Sequence, residues 1–223
     1  MHSNKTAIVI GATGLVGSHL VQSLLDNPTY HEVRVFVRRE MKMGHPKLKS
    51  FVVDFNSPIS YEKDLKGDVL FSCMGTTLKI AGSKEAQYKV DYTFQFHVAE
   101  CAKKNGVSQM ILVSATGANS QSMFFYSRMK GELEDAIKRL KFDSTVYVRP
   151  SVLIGDRPEN RTGEKISVPL INAVSKIFPS IKKYKGIKGE EVAQAMLQLS
   201  NSFRDRFICI ELDELLPYSS LKK

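Results

Sequence analysis

The sequence predicts an α/β fold in which a doubly wound parallel sheet of about seven strands carries helices on both faces. Short apolar segments alternate along the chain with segments of helical period, which is the order that βαβ units require. The apolar segments contain few polar residues, as expected for strands buried on both faces. A glycine turn from Gly11 to Gly17 joins the first strand to the first helix, and this feature indicates a Rossmann-type arrangement.

Strands and helices follow one another to the C-terminus. The predicted strands are Ala7–Ile10, Val33–Val37, Phe51–Val53, Val69–Cys73, Met110–Val113, Thr145–Val148 and Phe207–Ile210. The predicted helices are Gly14–Asp26, Lys84–Lys104, Phe124–Lys141, Val168–Ile177 and Glu190–Ser200. Because 223 residues are enough for one sizeable core and marginal for two, we expect one NAD(P)-binding Rossmann domain over residues 1–223, with a small C-terminal substrate lobe within about 151–190.

Composition narrows the class of protein. No apolar run approaches the roughly 20 residues of a membrane span, and no leader pattern precedes the first strand, so we expect a cytoplasmic protein without a membrane segment. The three cysteines and five histidines show no ligand spacing, so no metal site or disulfide framework is expected. The net charge of +9 is scattered, except at Lys182–Lys188, so a nucleic-acid partner is not expected. The oligomeric state is left open.

The glycine turn predicts a pyrophosphate site. Glycine lets the backbone turn tightly off the strand, approach a phosphate closely and pack the next helix on the sheet. The N-terminus of that helix directs N–H groups and a favourable dipole at the phosphates. The residues predicted to contact the cofactor at this turn are Gly11, Thr13, Gly14, Leu15, Val16 and Gly17.

Two arginines favour NADP(H) over NAD(H). Arg38 and Arg39 follow the second strand, at the point where an NAD site places an acidic residue for the ribose 2′-hydroxyl. A guanidinium instead suits a 2′-phosphate, because its planar fork binds the oxygens in pairs and neutralises their charge. Asp54, after the third strand, either contacts the adenine amino group or caps a local backbone N–H.

Two further loops are expected at the nicotinamide end. Small residues follow the fourth strand, at the edge where parallel sheets bind ligands, and Pro150 can turn the chain rigidly after the sixth strand. Asp156–Glu164 reads either as a substrate lid or as a solvated charged loop. The residues predicted to contact the cofactor in these loops are Cys73, Met74, Gly75, Thr76, Arg149, Pro150 and Val152.

The clearest chemical signal is the pair Tyr126 and Lys130 at the start of a predicted helix. Their i, i+4 spacing puts the phenol and the ammonium on one helical face. A nearby cation favours the phenolate, so Lys130 is expected to tune Tyr126 and also to hold ribose hydroxyls. Tyr126 would then exchange a proton with a carbonyl oxygen during hydride transfer. Ser114 or Thr116, with Thr116 slightly favoured by register, would bind that oxygen.

These residues together resemble the atypical branch of the short-chain dehydrogenase/reductase superfamily. Three strings are similar to the Tat-interactive-protein family of NADPH-binding, oxidoreductase-like proteins: Cys73 to Thr77, Tyr126 to Glu132, and Val148 through Arg157 and Arg161 to Gly163-Glu164. The resemblance covers nearly the whole chain. It implies an NADP(H)-binding reductase whose relatives have also been discussed as regulators. Asp91 departs from the resemblance, since it lies near the position where many short-chain reductases carry asparagine.

Three functions are therefore considered. The first is an NADP(H)-dependent oxidoreductase that reduces a small-molecule carbonyl substrate with Tyr126 as acid/base. The second is a non-enzymatic NADPH-binding regulator or sensor, in which Tyr126 is dispensable. The third, a nucleotide-sugar epimerase or dehydratase, is disfavoured because the C-terminal part is short.

Overall fold

One parallel sheet forms the centre of the computed structural model, which describes residues 4–155, 186–202 and 205–219. The strands are β1 (Lys5–Ile10), β2 (Tyr30–Val37), β3 (Leu48–Val52), β4 (Val69–Ser72), β5 (Gln109–Val113), β6 (Ser144–Arg149), β7 (Leu153–Ile154), β8 (Ile187–Lys188) and β9 (Phe207–Glu211). Seven of them pair in the order β3-β2-β1-β4-β5-β6-β9, and every neighbouring pair is parallel. The predicted Rossmann-type sheet is confirmed.

The helices lie between these strands. They are α1 (Leu15–Asp26), α2 (Leu78–Ala81), α3 (Lys84–Tyr88), α4 (Phe94–Lys104), α5 (Phe125–Arg139), α6 (Gly189–Ser202) and α7 (Leu216–Ser219), with a π-helical turn at Lys89–Thr93 and 3-10 turns at Pro58–Ser60, Glu62–Asp64 and Leu212–Leu215. The predicted helix Lys84–Lys104 is thus α3, the π turn and α4 in succession. The predicted helix Val168–Ile177, the segment Asp156–Glu164 and residues 182–185 of the lysine-rich segment lie outside the described residues.

Some elements differ from the prediction. The third strand begins at Leu48, whereas the sequence predicts a start at Phe51. It is the edge strand and exposes Lys49 and Ser50, so its first half lacks the continuous apolar pattern from which a strand is predicted. Helix α2 and the two-residue pair β7 and β8 are too short to produce a hydrophobic period.

Two apolar layers sandwich the sheet. Residues that alternate along a strand point to opposite faces. In β1, Ala7 and Val9 pack in the cluster that contains buried residues of α1 and α6, whereas Ile8 and Ile10 pack in the cluster of α4 and α5. The sheet is therefore covered on both sides, as its apolar strands require. No helix within the described ranges combines the length and apolar character of a bilayer span.

The turn after β1 and the loop after β4 meet at the carboxyl edge of the sheet. Gly11 has a φ of +76°, and a Cβ on it would lie 2.4 Å from the carbonyl carbon of Cys73. A Cβ on Gly17 would lie 2.1 Å from the Gly11 carbonyl oxygen. Both positions thus exclude every residue with a side chain unless the backbone moves.

We expect Gly11→Ala to lower the free energy of unfolding by about 1–3 kcal/mol or more, because the added methyl group meets backbone rather than a flexible side chain. Gly44→Ala is the control, since a Cβ at Gly44 has nothing within 4 Å among the described atoms. Its effect should stay within about 0.5 kcal/mol. Urea unfolding measures both values, and equal stability of the two variants would contradict the steric argument.

Candidate active site

The N-terminus of α1 offers an uncapped set of backbone donors. The Gly14 N–H donates to the Gly11 carbonyl at 3.0 Å, and the first helical bond runs from the Ser18 N–H to the Gly14 carbonyl, also at 3.0 Å. In the described structure no side chain caps this end, and the first turn contains no acidic residue. Leu15, Val16 and Gly17 therefore present N–H groups in a turn that the glycines keep clear, which suits a pyrophosphate.

The ends of β2 and β3 supply the charged residues beside this turn. Arg38 and Arg39 directly follow β2 and are exposed. Asp54 is exposed after β3, and its Oδ1 accepts hydrogen bonds from the Asn56 N–H at 2.9 Å and from Nδ2 at 2.7 Å. These bonds hold the pKa of Asp54 below its usual range. Asp54 thus caps a local turn, and its contact with adenine remains a prediction.

The loop after β4 is anchored at both ends. The Cys73 N–H donates to the Ile10 carbonyl at 2.9 Å, and the Cys73 thiol lies 3.9 Å from the Met196 sulfur. Further along, the Thr76 N–H donates to Asp91 Oδ2 at 2.9 Å, and Gln87 Nε2 donates to the Thr76 carbonyl at 3.3 Å. The predicted nicotinamide-side loop is therefore held against the helical segment that follows it.

A buried ion pair joins that segment to α5. Lys130 Nζ lies 3.5 Å from Asp91 Oδ1, and the two side chains are only 3% and 1% exposed. Burial raises the pKa of the Asp91 carboxyl, while the Lys130 ammonium and the Thr76 N–H partly offset that rise. The positive charge of Lys130 is thus already matched by a carboxylate inside the protein.

Tyr126 lies in the first turn of α5, one turn before Lys130, and is partly buried. The sequence predicts that Lys130 lowers the phenol pKa, but the structure shows the opposite direction. Burial, followed by the negative charge of Asp91, raises the pKa of Tyr126 above its ordinary value. The Lys130 ammonium, which was expected to oppose this rise, is paired with Asp91. Tyr126 is therefore a neutral phenol at physiological pH, which suits it to donate a proton.

The two candidate hydroxyls after β5 have different surroundings. Thr116 Oγ1 lies 3.2 and 3.0 Å from the carbonyl oxygens of Arg149 and Pro150, so its proton is engaged by the backbone. Ser114 is 5% exposed, and its Oγ has no hydrogen-bond partner within the described part of the chain. A buried hydroxyl without a partner is costly, so Ser114 is the better candidate to meet a ligand.

The Arg149 guanidinium binds two carboxylates, whereas the sequence predicts that Arg149 contacts the cofactor. Its Nε donates to Glu134 Oε1 at 2.9 Å, and it also forms an ion pair with Glu211. These contacts tie β6 to α5 and β9. A guanidinium that binds two carboxylates is poorly placed to bind a phosphate as well, so the expected cofactor contact of this segment rests on Pro150 and Val152, which are both buried.

From the sequence, Asp91 is noted only as a departure from the resemblance, and Gln87 and Gln95 are not singled out. All three are buried: Gln95 Nε2 donates to the Asp91 carbonyl at 2.8 Å, and the Ser72 hydroxyl donates to Gln95 Oε1 at 2.6 Å. The signal that could have found them is their spacing, since polar residues at every fourth position mark one face of a helix. Within the described residues no group of three or more His, Cys, Asp or Glu could hold a metal ion.

The parallel sheet, the glycine turn and the uncapped helix define a dinucleotide-binding Rossmann protein. The chain belongs to the NAD(P)H-binding family, whose model matches residues 11–201. Curated relatives include "Protein fmp52, mitochondrial" of Emericella nidulans, 33% identical over 181 residues that make up 78% of each chain. "Protein FMP52, mitochondrial" of Meyerozyma guilliermondii is 36% identical over 198 residues, which cover 86% of this chain and 83% of the relative.

Solved structures agree on the fold. UDP-glucose 4-epimerase from Thermotoga maritima, solved with UDP-glucose, superposes with a TM-score of 0.71 at 16% identity, covering 93% of this chain and 76% of the epimerase. The Bordetella bronchiseptica enzyme WbmH in complex with NAD⁺ gives a TM-score of 0.70 at 16% identity, covering 93% of this chain and 75% of the enzyme. At these identities the likeness establishes a shared architecture alone.

The relatives correct one expectation. The sequence was interpreted as that of a cytoplasmic protein, but the curated relatives bear mitochondrial names, so the cytoplasmic prediction is wrong. That prediction rested on the lack of a leader pattern before the first strand, and the lack of one recognisable signal does not define a compartment.

We expect Asp91→Ala to lower the free energy of unfolding by about 3–5 kcal/mol, because it leaves the buried Lys130 charge without its partner. Glu100→Ala is the matched control. It breaks an ion pair with Lys104 of the same 3.5 Å separation, but on exposed side chains. That loss should be below about 1 kcal/mol. Comparable urea midpoints for the two variants would show that the buried pair contributes no more than a surface pair.

Proposed function

We propose that the protein is an NADP(H)-dependent oxidoreductase of the atypical short-chain dehydrogenase/reductase type that reduces a small-molecule carbonyl compound. The observation that carries the proposal is the conjunction at the carboxyl edge of the sheet. Tyr126 and Lys130 lie one turn apart on α5, the Lys130 side chain is buried, and the Ser114 hydroxyl directly after β5 has no partner among the described residues. Within that class, the strings around Cys73, Tyr126 and Arg149 support a place near the Tat-interactive-protein family.

The residues present fit a nicotinamide dinucleotide. The glycine turn leaves the space that a Cβ would fill, and the uncapped N–H groups of Leu15, Val16 and Gly17 would hold its pyrophosphate. Lys130 would meet ribose hydroxyls, beside the loop of Cys73 to Thr76. When bound in its reduced form, the nicotinamide supplies a hydride to the carbonyl carbon.

Each side chain then has a distinct role toward the substrate. The Ser114 hydroxyl donates a hydrogen bond to the carbonyl oxygen and orients it. Tyr126 transfers its phenolic proton to that oxygen as negative charge develops there, which yields the alcohol. Lys130 stabilises the phenolate that remains until Tyr126 is reprotonated from solvent.

The arginines after β2 support NADP(H) as the cofactor. Arg38 and Arg39 stand next to the turn that would bind the pyrophosphate, and both are exposed at the carboxyl edge. Two guanidiniums at this point would bind a 2′-phosphate by paired hydrogen bonds. The names of the curated relatives support a mitochondrial location for this chain as well.

We expect Tyr126→Phe to reduce the rate of NADPH oxidation by a factor of about 10²–10⁴, because the ring remains and only the transferable proton is lost. The measurement is NADPH absorbance with a panel of aldehydes, ketones and quinones, together with NADPH affinity by fluorescence. Affinity should be largely unchanged. Tyr61→Phe is the control, since it removes a buried hydroxyl that has no hydrogen-bond partner in the described structure.

The outcomes separate the candidate functions. Full turnover by Tyr126→Phe would contradict the acid/base role of this residue. NADPH binding with no turnover of any compound in the panel would favour the regulatory or sensor function instead, in which Tyr126 is dispensable.

We expect Arg39→Ala to weaken NADPH binding by about tenfold or more and to leave NADH binding nearly unchanged, because a charge-assisted hydrogen bond contributes about 1.5–3 kcal/mol. Isothermal titration with both nucleotides measures the ratio. Arg139→Ala is the control, because it removes an equal charge at the last turn of α5, away from the carboxyl edge. Equal losses for NADPH and NADH would argue against recognition of the 2′-phosphate.

A further inference from the structure

Asp91 occupies an unusual place in the helical segment that faces the site. It lies in the π-helical turn Lys89–Thr93, where one extra residue is inserted between α3 and α4. Such turns occur mostly as single insertions, and frequently at functional sites. Gln87 and Gln95, four residues to either side, are buried as well, so the inner face of this segment is polar where a helix packed on a sheet is normally apolar.

Asp91 makes contacts in three directions. Its Oδ2 accepts from the Thr76 N–H at 2.9 Å, its Oδ1 lies 3.5 Å from Lys130 Nζ, and its carbonyl accepts from Gln95 Nε2 at 2.8 Å. A Cβ on Gly75 would stand 3.4 Å from the same Oδ1, so the loop after β4 lies directly against the carboxylate. This one side chain thus connects that loop to α5.

We propose that Asp91 is a positioning residue of the active site, whose carboxylate holds the Lys130 ammonium and the Thr76 loop in place and offsets the charge of that ammonium on the helix of Tyr126, so that the site favours carbonyl reduction over alcohol oxidation. This inference rests on the proposed function, because it assigns a direction to the same site. It differs from the role that the sequence predicts for Lys130, in which an ammonium without a counter-charge lowers the pKa of the phenol.

Burial is the larger cause of the raised pKa of Tyr126, and the negative charge of Asp91 adds to it. Asp91 lies in the π turn and pairs with Lys130 on the helix of Tyr126, and the Thr76 N–H is directed at the carboxylate. An unpaired ammonium would stabilise the phenolate, which is the form that accepts a proton from an alcohol. Paired with Asp91, the ammonium has a much smaller net effect, and the phenol keeps the proton that reduction requires.

A carboxylate is needed for this role rather than an amide. Lys130 is 3% exposed, and a charge at that depth is costly to bury unless a counter-charge pairs with it. An asparagine at position 91 would still accept from the Thr76 N–H but would not neutralise Lys130. The substitution Asp91→Asn therefore removes the charge effect while it retains the hydrogen bond to the loop.

The test is a titration of the Tyr126 phenol in the purified protein without added nucleotide. Tyrosinate absorbance is recorded against pH for the parent and for Asp91→Asn, each minus the same protein carrying Tyr126→Phe, so that the difference reports this phenol alone. We expect Asp91→Asn to lower the pH at which Tyr126 ionises by at least about one unit, the size of the effect of a nearby charge. Ionisation at the same pH in both proteins overturns the proposal.

A second comparison covers the case in which Asp91→Asn does not fold. Lys130→Met and the double variant Asp91→Asn/Lys130→Met are titrated in the same way, because the double variant leaves neither buried charge unpaired. Tyr126 should ionise at lower pH in the double variant than in Lys130→Met, and equal values again overturn the proposal. Glu100→Gln, which removes an exposed carboxylate on α4, should leave the titration unchanged.

Turnover distinguishes this inference from the proposed function. If the panel identifies a substrate, the kcat/KM for its reduction should fall as pH rises through the Tyr126 pKa, and Asp91→Asn should move that fall to lower pH. A fall at an unchanged pH overturns the inference while the proposed function stands. A shifted phenol titration in a protein that oxidises NADPH with no compound of the panel supports the charge role of Asp91 and overturns the proposed function.

Discussion

The backbone of Gly11 lies against the backbone of Cys73 and Met74 so closely that no side chain fits between them. This contact fixes the turn after β1 relative to the loop after β4. Helix α1 starts from that turn, and Gly17 lets its first turn lie on the Gly11 carbonyl. The loop is in turn bound to Asp91 through the Thr76 N–H, and Asp91 to Lys130 on α5. The glycine turn, the loop after β4 and the start of α5 are therefore held in one continuous arrangement.

Helix α6, which packs on the same face of the sheet as α1, supports the same edge. Helix α6 begins at Gly189, where a Cβ would lie 2.6 Å from the Leu15 carbonyl oxygen, so α6 and α1 start against each other. The short pair β7 and β8 joins the chain after β6 to the residues just before α6. The pair β7 and β8 and the start of α6 are thus anchored beside the start of α1.

Much of the fold could be predicted from the sequence because its strands are nearly all apolar and its helices have clear stops. The exceptions are α2, β7 and β8, which are too short to produce a hydrophobic period, and β3, whose edge position permits Lys49 and Ser50 to be exposed. The site was harder to predict. The glycine turn and the spacing of Tyr126 and Lys130 are local patterns. The raised pKa of the phenol instead comes from burial and from Asp91, which is 35 positions away from Tyr126 in the chain. Likewise, only the packing of β5 against β6 shows that the Thr116 hydroxyl is engaged by the Arg149 and Pro150 carbonyls and that Ser114 is not.

The buried pair of Asp91 and Lys130 is poorly explained by stability alone. Removing two charges from water costs several kcal/mol for each ion. Replacing a buried ion pair by apolar residues of similar volume often leaves the stability of the protein unchanged or raises it by about 1–4 kcal/mol. The ion pair of Arg149 with Glu211 avoids much of this cost, because the two side chains stay 20% and 37% exposed. Asp91 and Lys130 are instead almost fully desolvated, and their pair lies against the loop after β4 and on the helix that carries Tyr126. A carboxylate that orients the ammonium and limits its pull on the phenol accounts for both the burial and the location of the pair.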